Sequence, residues 1–246
     1  MLSDEVMMAT FALAPTSTDR YPRIATPLHT MIVLALVGGW AIQAKILTSN
    51  FSGSSYSPRL HIYAMTICME WFLFAVVLMG VRRSGSPLSL VLGERWRSVG
   101  QILRDLGIAI VFWFVALVVL WTVGKLLPHA APVRNLQFLL PRRRPEIITW
   151  IALSLTAGIC EETVFRGYLQ RQFMALAKNA PTGILLSAGV FGAAHIYQGF
   201  RGAILIGIFG ALFGILAYWR GTVRPGMLAH TWHDSITGIV VGSMKR

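Results

Sequence analysis

Seven stretches dominated by apolar residues punctuate this chain, at approximately 28–47, 60–81, 106–127, 147–167, 182–197, 203–219 and 226–242. Most approach the roughly 20 residues that a helix needs to cross a hydrocarbon layer about 30 Å thick. Each is read as a helix, because irregular backbone facing lipid leaves its polar groups unsatisfied. The fifth and sixth are short and contain Gly, His or Tyr, so they are expected to pack inside the bundle. Between the stretches lie breaker-rich linkers: 49–58 is rich in Ser, Gly and Pro, and 128–145 holds four prolines and the basic run Arg142, Arg143, Arg144. Gly207, Gly210 and Gly214 stripe the sixth stretch, a spacing that lets two helix backbones approach closely.

Composition sharpens this pattern. Of 246 residues, 55% are hydrophobic and 13% charged, with mean hydropathy +0.61; soluble domains carry about a quarter charged residues. The expected fold class is therefore all-α, a polytopic transmembrane bundle of about seven helices, with a polar cavity between the C-terminal ones. Three regions are expected: a polar tail at 1–26, three transmembrane helices with basic loops at 27–145, and a C-terminal core at 146–246. The tail lacks the basic start, short apolar core and cleavage site of a secretory signal. Cys68 and Cys160 both fall in apolar stretches and offer neither a disulfide framework nor metal-type spacing. The net charge of +12 is spread through the loops, which points to the phospholipid surface and away from nucleic acid. Lys and Arg divide 12 to 10 between alternate sides, a small bias toward a cytoplasmic N-terminus.

Against this background the adjacent Glu161 and Glu162 stand out in the run from Ile147 to Val164. A charged side chain at the centre of a membrane helix costs roughly 2.5–3.5 kcal/mol on insertion scales, so such residues are functional candidates. Helix phase separates the two: Glu162 and Arg166 share a face, whereas Glu161 points about 100° away and is left unpaired, available as a general base. A purely structural salt bridge is the alternative, and it leaves Glu161 unexplained. Phe191 lies one turn before His195 and is placed to wall and orient its imidazole. The seventh stretch supplies His230 and Asp234 on one face, with His233 off that face. Glu70 is a further intramembrane acid, without a motif of its own. Cys160 allows a thiol-protease reading, but neither apolar surroundings nor a neighbouring carboxylate stabilises a thiolate.

Glu161-Glu162-x-x-x-Arg166, Phe191-x-x-x-His195 and His230-x-x-x-Asp234, in that order on late apolar helices, resemble the CPBP family of intramembrane proteases. That family includes type II CAAX prenyl endopeptidases and bacterial bacteriocin-processing and abortive-infection-like members. The resemblance covers about residues 146–242. It implies an endopeptidase in which Glu161 and His195 activate water, Glu162, Arg166 and Phe191 hold the site in shape, and His230 with residue 234 supports the oxyanion. The implied substrate is a membrane-associated protein or peptide, prenylated or leader-containing, and the implied setting is a bacterial cytoplasmic membrane. One position departs from the pattern: the CAAX-processing branch typically has Asn where this chain has Asp234, and ionised Asp cannot donate a hydrogen bond. Glu161, His195, His230 and Asp234 would also make a mixed set acceptable to one zinc ion, although no HExxH is present. Zinc-dependent and metal-free catalysis both remain open on the sequence. The rival classes are a non-catalytic membrane scaffold or immunity protein and an ion-coupled transporter, the latter weakened because the two halves show no repeat.

Overall fold

The computed structural model describes residues 20–51, 58–128 and 138–244. Most of the expected polar tail, and the centres of the linkers at 49–58 and 128–145, lie outside the described residues. All seven apolar stretches are helical. The helices are α1 (Pro27–Phe51), α2 (Arg59–Arg83), the short α3 (Ser89–Leu92), α4 (Val99–Leu126), α5 (Arg144–Glu161), α6 (Gln170–Ala177), α7 (Ala180–Ala194), α8 (Phe200–Arg220) and α9 (Arg224–Met244). A π-helical segment, Glu162–Leu169, joins α5 to α6. No strand occurs among the described residues.

Among the described residues, five spans are long and apolar enough to cross a membrane: α1, α2, α4, the continuous rod Arg144–Ala177, and α8. The chain is thus a multi-pass integral membrane protein. Large apolar side chains such as Val111, Phe114, Trp121 and Trp219 face outward, as suits a surface in contact with lipid. The fifth stretch, α7, is too short to span, and α9 carries the polar residues of its first three turns.

Three boundaries differ most from the expectation: the helix of the third stretch begins at Val99, ahead of the expected 106, and two others shift at their ends. The fourth stretch was expected to end at Gly167, yet helical structure continues to Ala177. The polar residues that suggested a loop are buried and bonded: Gln170 Nε2 donates to the Gly214 carbonyl at 3.0 Å, and Gln172 accepts from Ile24 N at 3.0 Å and donates to the Ala25 carbonyl at 2.9 Å. The fifth helix ends at Ala194, so His195 is its C-cap and Tyr197 lies in a following 3₁₀ turn, Ile196–Gln198. Gly199 closes that turn at φ +85, a conformation that side chains with a Cβ rarely adopt.

The alternating helices give the bundle two ends. At the proximal end, Asp105 accepts from Trp96 Nε1 at 2.8 Å and Arg220 Nη2 at 3.1 Å, tying α4 to α8 and to the loop before α4. At the distal end Glu146 accepts from the backbone N–H of Arg142 (2.7 Å) and Arg143 (3.1 Å), capping α5, and pairs with Arg59 of α2 at 3.5 Å. Close approaches fix the core. A Cβ on Gly158 of α5 would lie 2.2 Å from Thr231 Oγ1 and 2.7 Å from the Met227 carbonyl of α9, and one on Gly192 of α7 would lie 2.6 Å from the Ala203 carbonyl of α8. Small residues at these crossings let backbones meet where lipid offers no hydrophobic drive between helices.

Candidate active site

The three motifs converge on the inner end of one cavity of about 1090 Å³, which runs between the helices toward the distal end. Its walls are mostly apolar, from residues such as Leu36, Trp40, Leu73 and Leu205, while Glu70, Glu161, His195, His230, His233 and Asp234 place polar groups on it.

Glu162 and Arg166 are buried beneath this surface, with side chains 0% and 2% exposed, and pair at 3.0 Å. The guanidinium lies over the Phe191 ring at 4.1 Å from its centroid, with Phe213 at 5.5 Å and Phe165 at 5.9 Å. Its charge is therefore met by one carboxylate and by the negative faces of rings. Glu162 does more than the sequence suggested. The oxygen that holds Arg166 also accepts from His230 Nδ1 at 2.9 Å, a contact from α9 that no spacing within α5 announces.

Glu161 is 17% exposed, against 0% for its neighbour, and faces the cavity as helix phase predicts. Its Oε1 lies 3.9 Å from His195 Nε2 and its Oε2 lies 3.7 Å from His230 Nε2. His195 Nδ1 is 2.9 Å from the Phe191 carbonyl, which can only accept, so Nδ1 carries a proton and Nε2 faces Glu161. His230 is fixed in the same sense, Nδ1–H on Glu162 and Nε2 toward Glu161. Asp234 Oδ2 is 3.6 Å from that same Nε2, so Glu162, and not Asp234, sets the tautomer of His230. The backbone carbonyl of Asp234 accepts from Trp150 Nε1 at 2.9 Å, joining α9 to α5. Phe191 packs on both imidazoles, with centroids 4.7 Å from His195 and 6.2 Å from His230, and thus walls the site as expected. His233 lies against Phe209 at 4.8 Å. Cys160 is buried on the cavity wall, and Glu70 Oε2 is buried without a hydrogen-bond partner.

Separations of 3.6–3.9 Å are too long for direct hydrogen bonds and suit groups bridged by water. Among the described residues no group of three or more His, Cys, Asp or Glu side chains is placed to hold a metal ion.

Fold and site define a class: a multi-pass membrane protein with a carboxylate set between two imidazoles inside its helix bundle. Residues 143–236 match the family model described as type II CAAX prenyl endopeptidase Rce1-like. The matched stretch begins at the cap of α5 and ends past Asp234 in α9, so it contains every motif residue, and α1, α2 and α4 lie outside it. Comparisons with curated proteins and with solved structures returned no match.

Proposed function

We propose that the chain is an intramembrane endopeptidase that hydrolyses a peptide bond of a membrane-associated protein or peptide, using water activated by Glu161 and His195. The observation that carries this reading is the position of Glu161 between two imidazoles whose Nδ1 atoms are already committed. A water between the carboxylate and the two Nε2 atoms gives its proton to Glu161 as its oxygen attacks the carbonyl carbon. When the C–N bond breaks, the leaving amine takes that proton from Glu161. The buried Glu162–Arg166 pair keeps His230 in one tautomer throughout, and the largely apolar cavity accepts a lipid-modified or bare apolar segment. A bacterial cytoplasmic membrane is the setting this reading favours.

The test is cleavage of a panel of farnesylated and unmodified leader-type peptides by the purified protein in liposomes. Glu161→Ala and His195→Ala are each expected to lower kcat/KM by about 100-fold or more, the usual contribution of a positioned acid or base. Wild-type cleavage by both variants rules out the mechanism. Activity is expected to survive a chelator; loss on chelation with recovery on adding zinc would overturn the metal-free part of the proposal.

A further inference from the structure

Attack of water on a peptide carbonyl creates an oxyanion, which such sites stabilise with N–H or O–H donors about 2.7–3.1 Å from it. In this centre both imidazole Nδ1–H groups are committed elsewhere, while His230 Nε2 faces Glu161 at 3.7 Å and Asp234 at 3.6 Å. His230 Nδ1–H is held by Glu162 and His195 Nδ1–H by the Phe191 carbonyl. The backbone N–H groups of His195, Gln198 and Gly199 are bonded to the carbonyls of Gly192 (3.1 Å), His195 (2.9 Å) and Ile196 (2.9 Å). An ionised Asp234 has no proton to offer.

One hydroxyl on the cavity wall is differently placed. Tyr197 follows His195 in the 3₁₀ turn, its ring 5.8 Å from the His195 ring and only 33° from parallel to it. Both Tyr197 and its neighbour Gln198 line the cavity. Gln198 Nε2 donates to the Tyr197 oxygen at 3.2 Å, which occupies an acceptor position and leaves the phenol proton without an acceptor among the described residues. The ring contact with His195 and the shared cavity wall put this phenol beside the imidazole.

We propose that the Tyr197 hydroxyl, oriented by Gln198, is a further oxyanion donor of this site, beside His230, and fills the place for which Asp234 lacks an N–H. The inference rests on the endopeptidase reading of the same centre. As the water oxygen bonds to carbon, the carbonyl π pair moves to oxygen, and that oxygen accepts a hydrogen bond from Tyr197 O–H. No proton leaves Tyr197. On collapse the pair returns, the C–N bond breaks and the amine departs with the proton held by Glu161. The competing donor is His233, whose Nδ1 is buried without a partner, but its ring packs on Phe209 and not on His195.

The experiment measures kcat and KM of the full chain in liposomes, with a peptide that the wild type cleaves, for Tyr197→Phe, Gln198→Ala, His233→Phe and the pair Tyr197→Phe with Asp234→Asn. Tyr197→Phe is expected to lower kcat by about 100-fold or more with little change in KM or thermal stability, as when one oxyanion donor is removed elsewhere. Gln198→Ala is expected to give a smaller loss, and Asp234→Asn to restore part of the Tyr197→Phe deficit by supplying an amide N–H. Wild-type kcat in Tyr197→Phe, or a loss seen in His233→Phe in its place, overturns the assignment. If Glu161→Ala still cleaves, or the wild type cleaves nothing, the endopeptidase reading falls first and takes this proposal with it; an inactive Glu161→Ala beside a fully active Tyr197→Phe removes the proposal alone.

Discussion

Replacing Glu162 with Ala tests whether the centre rests on a buried charge pair. The Glu162 and Arg166 side chains are 0% and 2% exposed, so water cannot replace the lost carboxylate. Arg166 Nη1 and Nη2 find no other hydrogen-bond acceptor, and His230 Nδ1–H loses its only one. Removing one member of such a pair typically costs about 3–5 kcal/mol. At about 2–4 °C per kcal/mol for a chain of this size, the expected fall in Tm is roughly 6–20 °C. Cys160 is 1% exposed and gives a convenient reporter: in a Cys68→Ser background, a fluorogenic maleimide reacts only as the core opens on heating. The double variant Glu162→Leu with Arg166→Met removes both charges together and is expected to recover much of the stability lost by either single change. It stays inactive, because His230 is no longer held. A Glu162→Ala protein that melts within 2 °C of wild type, or a double variant less stable than both singles, would refute the reasoning.

Two further substitutions separate packing from chemistry. Gly158→Ala places a methyl against Thr231 and the Met227 carbonyl and must push α9 from α5; a loss of about 1–3 kcal/mol is expected from overpacking, with a fall in kcat because His230 moves relative to Glu161, and unchanged kinetics would show that the crossing is looser than drawn. Asp105→Ala orphans Trp96 Nε1 and Arg220 at the proximal end, away from the cavity, and is expected to cost about 1–3 kcal/mol of stability with kcat of the folded fraction unaltered.

The helices were legible because lipid exposure writes itself as long apolar runs, and the pairing of Glu162 with Arg166 because both lie on one rod. What lay beyond reach was contact between rods. Nothing in the spacing of α5 shows that Glu162 also holds His230, or that Trp150 bonds the Asp234 carbonyl, since these depend on how α9 crosses α5. The continuation of helix through Gln170 and Gln172 was hidden for a related reason. Side-chain amides read as loop residues until partners such as the Gly214 carbonyl and the Ile24 N–H are brought to them by tertiary structure. Tyr197 carried a faint signal, a polar aromatic two residues beyond a motif histidine, but only the end of α7 at Ala194 turns it toward the cavity.

The π-helical segment Glu162–Leu169 bears on how this chain can vary over evolutionary time. Each residue added to or removed from a helix rotates everything beyond it by about 100°, and this segment lies between Glu161 and the buried contacts of Tyr168, Gln170 and Gln172. A one-residue deletion there would turn Arg166 and those anchors away from their partners while leaving Glu161 in place. Relatives that differ in length are therefore expected to take their insertions and deletions in the connections before α2 and α5, and to keep the count from Glu161 to Gln172 fixed. The spacing of that stretch is heritable information in its own right, as much as the identity of either glutamate.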